Sequence, residues 1–208
     1  MSLKLSNIHF VLLAAGKSTR FRSKKNKLLS KFSNKTILEH NIEQIEKIGF
    51  KKITLVVNDK KIIRNINTTS IELTKGGKTR SESVKNALNN SKIKAKYVFI
   101  HDAARVLNSD TLLLKLINNA NKNIYDCIIP YAKCNDTVVQ NHKNINREDL
   151  KLIKTPQVFL KKKITLLHNK SNSLEFTDDS KLMRDNPKEF KIKYILDNGL
   201  NLKVAHKE

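Results

Sequence analysis

The chain contains little of several residue types that small proteins use to stabilise themselves covalently or through metals. Its 208 residues include no tryptophan and only two cysteines, Cys127 and Cys134. These two are spaced neither as a CxxC pair nor as metal ligands, so the sequence indicates no disulfide framework and no zinc site. A chain of this length buries most of the surface that its unfolded form exposes, and we expect a hydrophobic core to suffice.

Long hydrophobic runs are also missing. The longest apolar segment, Phe10 to Ala15, has the length of a strand and is far shorter than a membrane span. The first residues lack the apolar stretch and the cleavage site of a secretory signal peptide. The sequence therefore predicts a reduced, cytoplasmic protein with no membrane anchor.

Acidic residues are scarce relative to basic ones. Aspartate and glutamate number 19 against 41 lysines and arginines, which gives a formal net charge of +22. Such a charge raises nucleic acid as a partner. However, the basic residues are spread along the whole chain among many asparagines and isoleucines, and lysine, asparagine and isoleucine share AT-rich codons. Compositional bias is the alternative explanation, and we expect nucleic-acid binding to be non-specific at most.

Glycine and proline are rare, with five and three residues, so each is informative about where an element ends. The segment from Ile8 to Leu13 predicts a buried strand, because it is apolar apart from His9. Thr36 and Glu39 form a capping-box pattern before apolar residues at helical spacing, and Gly49 marks the end of that helix.

Strand and helix patterns alternate along most of the chain. Apolar runs predict further strands at 53–57, 71–73, 97–100 and 128–129, with helices at 60–65, at 79–88 and after Ser109. Such alternation is typical of an α/β fold with a mostly parallel sheet and helices on both faces. We predict a single domain, residues 1–208. Pro130 is expected to end its strand, and the polar segment 132–155 to form an arm outside the core.

Three predicted strand ends carry residues suited to a ligand, because open parallel sheets bind ligands beyond the carboxyl ends of their strands. They are the small residues 14–16 followed by cations, the Gly76-Gly77 turn before a helix, and the segment 101–105. Each alone also fits an ordinary loop, a capped turn or an ion pair. Together they favour a phosphate-containing ligand, although neither a P-loop nor a GxGxxG pattern is present.

Seven short motifs occur in order along the chain. They are Ala14-Ala15-Gly16 with Arg20 and Lys27, Gly76-Gly77 with Arg80-Ser81-Glu82-Ser83-Val84, His101-Asp102-Ala103-Ala104-Arg105, Asp136-Thr137, Thr155-Pro156-Gln157-Val158-Phe159, Thr177-Asp178-Asp179 and Leu202-Lys203-Val204. From Ile8 to Val204 the chain closely resembles the 2-C-methyl-D-erythritol 4-phosphate cytidylyltransferases of the non-mevalonate isoprenoid pathway. The resemblance implies a Rossmann-like fold of the nucleotide-diphospho-sugar transferase type with an extended dimerisation arm.

The resemblance also implies a reaction. CTP and methylerythritol 4-phosphate would give 4-diphosphocytidyl-2-C-methyl-D-erythritol and pyrophosphate, by in-line attack of the substrate phosphate on the α-phosphorus. The attacking phosphate is already ionised, so catalysis would rest on positioning and electrostatic stabilisation. His101 then needs no catalytic role.

Roles for individual residues follow from the same resemblance. Arg20 and Lys27 match the cations that stabilise the transition state, and Arg147 and Lys203 match those that hold the attacking phosphate. The cytidine site matches Ala14, Ala15, Gly16, Gly77 and Ser83. The methylerythritol phosphate site matches Asp102, Arg105, Thr137, Thr155 and Thr177, together with Arg147 and Lys203.

Assembly and cofactor are implied in the same way. In the family the arm crosses to a second subunit, so we expect a homodimer in which Thr137 and Arg147 serve the partner's site. Mg²⁺ is expected, held mainly by the CTP phosphates and with no assigned protein ligand. The sequence stops where family members continue into a final helix, so either that helix is lost or the chain is the N-terminal part of a longer, bifunctional protein.

Three positions depart from the family pattern. Ser18 replaces a glycine, while Asn26 and Val106 replace prolines. The Asn26-Lys27-Leu28 stretch also resembles molybdenum-cofactor nucleotidyltransferases. Two alternatives stay open: a cytidylyltransferase for another alditol phosphate such as ribitol 5-phosphate, and a basic nucleic-acid-binding protein that has kept the fold without the catalysis.

Overall fold

The computed structural model describes residues 4–16, 26–32, 34–64, 66, 71–90, 92–107, 109–171 and 176–198. The strands in these residues are β1 Ile8–Leu13, β2 Lys31–Phe32, β3 Lys35–Thr36, β4 Ile53–Val57, β5 Ile71–Lys75, β6 Tyr97–Asp102, β7 Cys127–Lys133, β8 Val138–Gln140, β9 Lys143–Ile145, β10 Lys151–Ile153, β11 Gln157–Leu160 and β12 Ile192–Leu196. The α-helices are α1 Ile37–Ile48, α2 Lys60–Arg64, α3 Arg80–Leu88, α4 Asp110–Asn121, α5 Lys161–Lys170 and α6 Lys181–Arg184. Short 3-10 helices span Lys27–Leu29 and Arg147–Asp149.

An eight-stranded sheet forms the centre of the fold. Its order is β10-β7-β11-β6-β1-β4-β5, with β12 paired to β7. The pairs β1/β4, β1/β6, β4/β5 and β7/β12 are parallel, whereas β11 runs antiparallel to β6 and β7, and β10 antiparallel to β7. The predicted mostly parallel α/β fold is confirmed.

Helices cover both faces of this sheet. Alternate residues of β1 enter different hydrophobic clusters: Phe10 and Leu12 pack on the side of α1 and α4, and Val11 packs on the side of α3, α5 and α6. This is the period-two alternation of a strand that is buried on both faces. It explains why the sequence of β1 reads as a continuous apolar run.

Helix α1 has both ends that the sequence predicts. The Thr36 side chain accepts a hydrogen bond from the Glu39 amide at 3.2 Å, and Glu39 accepts one from the Thr36 amide at 2.7 Å. Gly49 follows the helix with φ +102°, a left-handed conformation that glycine adopts without steric cost.

The predicted end of a strand at Pro130 is wrong, because β7 continues through this residue to Lys133. Proline has no N–H to donate to a neighbouring strand. However, Pro130 lies where the partner of β7 changes from β11 to β10, and its carbonyl still accepts from the Lys154 amide at 2.8 Å. The interruption therefore falls at a junction that needs no donor.

The predicted arm corresponds mostly to the hairpin β8–β9 and the 3-10 helix that follows it. Every residue from 131 to 154 is exposed or half-buried. At the tip, Asn141 and His142 have φ values of +51° and +63°, as a two-residue type I′ turn requires. The end of the segment returns to the main sheet, because β10 pairs with β7. Crossing of this arm to a second subunit stays a prediction.

None of the helices in the described part of the chain combines the length and the apolar character needed to cross a membrane.

Candidate active site

A cavity of about 270 Å³ lies beyond the carboxyl ends of β1 and β6, at the sheet edge that the sequence indicated. Its walls are the segment after β1, the 3-10 helix at Lys27, the turn before α3 and the end of β6. The lining residues are Leu13, Ala14, Ala15, Gly16, Lys27, Leu28, Gly77, Lys78, Thr79, Arg80, Ser83, Asp102 and Ala104. Backbone amides, two lysines and an arginine thus surround one space.

Close backbone packing shapes one side of the cavity. A side-chain Cβ added at Gly76 would lie 2.2 Å from Cβ of Ala15, so only glycine allows the two loops to approach this closely. The neighbouring Gly77 donates its amide to Oγ of Ser83 at 3.0 Å, and Ser83 donates to the Thr79 carbonyl at 2.9 Å. Ser83 therefore holds the turn that carries Gly77.

A buried chain of charged groups crosses the floor of the site. Arg80 donates from Nε to Asp102 at 2.9 Å and from Nη1 to Asp179 at 2.7 Å. Asp179 has no exposed surface and its second oxygen meets Nε2 of His168 at 3.1 Å. Arg80 thus connects a carboxylate that faces the cavity with one in the core.

The charges of Arg80 and Asp179 stabilise one another. Burial alone would lower the pKa of Arg80, but Asp179 and Asp102 outweigh it and hold that pKa above its usual value. Burial alone would raise the pKa of Asp179, but Arg80 and His168 outweigh it and hold that pKa below its usual value. Both groups are therefore charged at neutral pH.

A second set of hydrogen bonds fixes the backbone beside Asp102. Burial lowers the pKa of His101 to about 4, so its ring is neutral near pH 7. Nε2 of His101 donates to the Arg105 carbonyl at 3.0 Å, which leaves Nδ1 to accept from the Thr155 hydroxyl at 2.9 Å. Thr155 in turn accepts from the Asp102 amide at 3.2 Å. A neutral, structural His101 agrees with the expectation that the reaction needs no general base.

The structure brings about half of the predicted site residues together. Ala14, Ala15, Gly16, Lys27, Gly77, Ser83 and Asp102 all line the cavity. Thr155 and Arg105 adjoin it through Asp102 and His101 without lining it. Arg20 and Lys203 lie outside the described residues.

Three other predicted residues do not line the cavity. Thr137 and Arg147 belong to the arm, where Arg147 donates to the Asn135 carbonyl at 2.8 Å and borders a separate hollow. Thr177 is exposed, and follows Phe176, whose carbonyl contacts the Ser81 hydroxyl at 3.3 Å. For these positions the roles implied by the resemblance need another subunit or a bound substrate.

Sequence reasoning missed the linkage of Arg80, Asp179 and His168. Arg80 and Asp179 both lie within motifs that the sequence singled out, but 99 positions separate them. No local pattern reports a contact at that separation. The only sequence signal was the presence of an arginine and an acidic pair in two motifs at different predicted strand or helix ends.

Metal-binding capacity in the described residues is small. They contain no group of three or more histidine, cysteine, aspartate or glutamate side chains close enough to hold a metal ion. Asp102 is the carboxylate among the cavity-lining residues, and it already bonds to Arg80. A metal at this site would need most of its ligands from a bound substrate.

These features define a class. A Rossmann-like α/β fold, with glycine backbone, amides and cations around a cavity at the carboxyl edge of its sheet, is typical of proteins that bind nucleotides. A family model described as 2-C-methyl-D-erythritol 4-phosphate cytidylyltransferase matches residues 8–208, and the chain belongs to this family of nucleotidyltransferases.

Individual relatives agree with the family match. The bifunctional enzyme IspD/IspF of Pelagibacter ubique is 43% identical over 207 residues, which cover 96% of this chain and 54% of that protein. The corresponding protein of Campylobacter jejuni strain 81-176 is 37% identical over 181 residues, which cover 85% of this chain and 46% of that protein. The chain therefore spans about half the length of the curated relatives it matches.

Solved structures share the fold. The bifunctional IspDF from Campylobacter jejuni superposes with a TM-score of 0.83 at 32% identity, over 96% of this chain and 52% of that one. A 4-diphosphocytidyl-2C-methyl-D-erythritol synthase from Anaerococcus prevotii superposes with a TM-score of 0.77 at 26% identity, over 95% of this chain and 92% of that one. The similarity thus extends over nearly the whole chain.

Proposed function

We propose that this chain joins CTP and 2-C-methyl-D-erythritol 4-phosphate. A phosphate oxygen of the alditol forms a bond to the α-phosphorus of CTP, the bond from that phosphorus to the bridging oxygen breaks, and pyrophosphate leaves with the electron pair. The observation that carries this proposal is that Lys27, Asp102, the 14–16 loop and the Gly77 turn line one cavity. The sequence had selected them at separate strand ends.

The nucleotide would lie between the two loops. Amides and small side chains at 14–16 suit close approach of the triphosphate, since exposed N–H groups bind anions. Lys27 would place its ammonium beside the α-phosphoryl, where negative charge accumulates in the transition state. Arg20, which lies outside the described residues, would supply a second cation. Gly77, held by Ser83, would present backbone groups to the cytosine edge.

The alditol phosphate would occupy the side of the cavity near β6. The Asp102 carboxylate is an acceptor for substrate hydroxyls, and Arg80 fixes its orientation. Arg105, Thr155 and Thr177 would complete this side, with Lys203 on the attacking phosphate. Most of the rate acceleration would come from holding the two reactants in the right orientation to one another.

We also propose a homodimer in the cytoplasm. The arm carries Thr137 and Arg147, which do not line the cavity of their own chain. Its residues are exposed or half-buried throughout, so a second copy could receive them. In this assembly Arg147 would hold the attacking phosphate in the partner's site.

Mg²⁺ fits this site as a substrate-held ion, because the described residues that line the cavity offer a single carboxylate, Asp102. When bound, the ion neutralises the triphosphate and favours departure of pyrophosphate. Lys27 and the 14–16 amides would then orient the nucleotide, and Asp102 would orient the alditol.

The test is release of pyrophosphate from CTP in the presence of Mg²⁺ and methylerythritol 4-phosphate, with ribitol 5-phosphate in a parallel reaction. We expect release with methylerythritol phosphate and none with ribitol phosphate. The family match favours this substrate over ribitol phosphate. Release only with ribitol phosphate would contradict the substrate assignment but not the chemistry.

Replacing Lys27 tests the proposed transition-state role. Lys27→Ala should lower kcat by about 10²–10³, as removal of one stabilising group does in other enzymes, with little change in CTP affinity. Steady-state kinetics and calorimetric titration with CTP measure the two quantities. A near-normal kcat would contradict this role.

The nucleic-acid alternative has its own measurement. If the net charge of +22 only attracts phosphate backbones, DNA binding should be weak, blind to sequence and steeply dependent on salt. Tight binding of one sequence at physiological salt would favour the alternative over the proposed enzyme.

A further inference from the structure

Asn26 joins the turn that carries Lys27 to the loop between β4 and α2. Its Oδ1 accepts from the Leu28 amide at 3.1 Å and so caps the 3-10 helix Lys27–Leu29. Its Nδ2 donates to Oδ2 of Asp59 at 3.1 Å. The oxygen of the Asn26 amide therefore holds the turn through a bond within it, and the nitrogen holds it through a bond to Asp59 outside it.

Asp59 is itself fixed. It lies in the two-residue loop between β4 and α2, and its other oxygen accepts from the Lys61 amide at 2.9 Å at the start of α2. The neighbouring Asn58 accepts from the Gly76 amide at 3.0 Å. This loop, residues 58–59, thus contacts both the Lys27 turn and the turn before α3, and residues of both turns line the cavity.

Lys27 needs such support for a physical reason. A lysine side chain is a flexible four-carbon stem with a point charge at its end, so the position of its ammonium depends on how firmly its backbone is held. A 3-10 helix of three residues has few internal hydrogen bonds and does not hold itself in place. The anchor must come from side chains around it.

We infer that the hydrogen bond from Asn26 to Asp59 positions Lys27 for the reaction. This inference rests on the proposed function. Asn26 has φ −63°, the value that a proline ring imposes, and the family pattern has proline at this position. Here the Asn26 side chain, bonded to Leu28 and Asp59, fixes the same entry into the turn. Asn26 and Asp59 are positioning residues that act through Lys27.

Three nearly isosteric variants isolate the bond. Asn26→Asp keeps the cap on Leu28 but puts two carboxylates face to face, and Asp59→Asn removes the acceptor that Nδ2 uses. The exchange of both residues, Asn26→Asp with Asp59→Asn, restores one donor and one acceptor with reversed polarity and unchanged net charge. Asn186→Asp, at an exposed position outside the cavity lining, controls for added negative charge.

The first readout is amide hydrogen exchange of the segment 26–32, which does not depend on activity. We expect faster exchange there in both single variants, wild-type exchange in the double exchange, and no change in Asn186→Asp. Unchanged exchange in both single variants would overturn the inference, whatever the activity of the wild type.

The second readout is kcat in two backgrounds. Asn26→Asp and Asp59→Asn should each lower kcat by about tenfold or more with little change in the KM for CTP, and the double exchange should recover most of it. In a Lys27→Ala background, Asn26→Asp should cause no further loss, because the residue acts through Lys27. An equal loss in both backgrounds would overturn the inference. An inactive wild type with the expected exchange pattern would instead overturn the proposed reaction.

Discussion

At the scale of single residues, Arg80 contributes to both the site and the core. Its guanidinium bonds to Asp102, which faces the cavity, and to Asp179, which has no exposed surface. A buried carboxylate that loses its only strong cation becomes costly, and a buried arginine that loses a carboxylate does as well. The geometry of the site and the stability of the core therefore depend on the same side chain.

Asp179→Asn tests this dependence on the stability side. We expect the free energy of unfolding to fall by about 3 kcal/mol, since the variant leaves Arg80 with one carboxylate partner and removes the negative charge that pairs with it in the core. Urea denaturation at pH 7 measures the change. Arg80→Gln should lower the free energy of unfolding much less in the Asp179→Asn variant than in the wild type, because the two residues share one interaction. Full additivity would contradict the ion pair.

A pH dependence arises from His9, which lies away from the cavity. It contacts Thr54 at 2.7 Å, and burial, followed by repulsion from Lys52 and Lys161, lowers its pKa to about 4. The unfolded chain, with a histidine pKa near 6.5, binds more protons below that pH, so stability falls as the pH falls from 6.5 towards 4.

In the His9→Gln variant, the free energy of unfolding should fall less as the pH is lowered. Between pH 7 and pH 5 the histidine accounts for roughly 2 kcal/mol of lost stability, and the variant should lose that much less than the wild type over the same interval. Urea denaturation at the two pH values gives the comparison. Identical losses would mean that His9 titrates equally in both states.

At the scale of elements, the approach of two loops decides the shape of the cavity. A Cβ at Gly76 would lie 2.2 Å from the Ala15 side chain, whereas a Cβ at Gly16 would meet no atom within 4 Å. A methyl group at position 76 would therefore push the turn before α3 away from the segment after β1, whereas a methyl group at position 16 would not.

Gly76→Ala should lower the free energy of unfolding by about 1–3 kcal/mol, because the overpacked loops must shift. Gly16→Ala is the matched control and should change that free energy little. Thermal or urea unfolding of both variants tests this prediction. Equal destabilisation of the two variants would contradict the close approach as the cause, because a Cβ at Gly16 meets no atom within 4 Å.

The elements also show where sequence reasoning succeeds. The capping box at Thr36 and the stop at Gly49 are local, so the residues that make them are neighbours in the chain. The strand end at Pro130 was mispredicted, because what permits proline there is a change of partner strand, which local sequence does not report. The contact of Arg80 with Asp179 was missed for the same reason.

At the scale of the whole molecule, two sets of predicted site residues lie in different parts of the fold. One set lines the cavity, and the strand-end rule selected the segments that carry it, because parallel strands bring their carboxyl ends to one edge, while the roles of the residues were implied by the resemblance. The other set, Thr137 and Arg147, lies on the arm. Their grouping with the first set stays a prediction, because it needs a subunit arrangement that no feature of a single sequence encodes.

Mixing experiments test that arrangement. If Arg147 serves the partner's site, Arg147→Ala and Lys27→Ala chains should each have low activity, and a mixed dimer should regain activity at the one site that holds both intact residues. Pyrophosphate release after unfolding and reassembly of the two chains together measures this. A verified mixed dimer without regained activity would contradict the sharing.

The exposure of the arm has a practical consequence. A hairpin of two three-residue strands with no buried residue has almost no core of its own, so covering by another surface is what would protect it. Trypsin cleaves after Lys143 and Arg147, both in this segment. If the proposed homodimer covers the arm, the rate of tryptic cleavage, followed across dilutions, would therefore report how much of the protein is assembled, without any substrate or label.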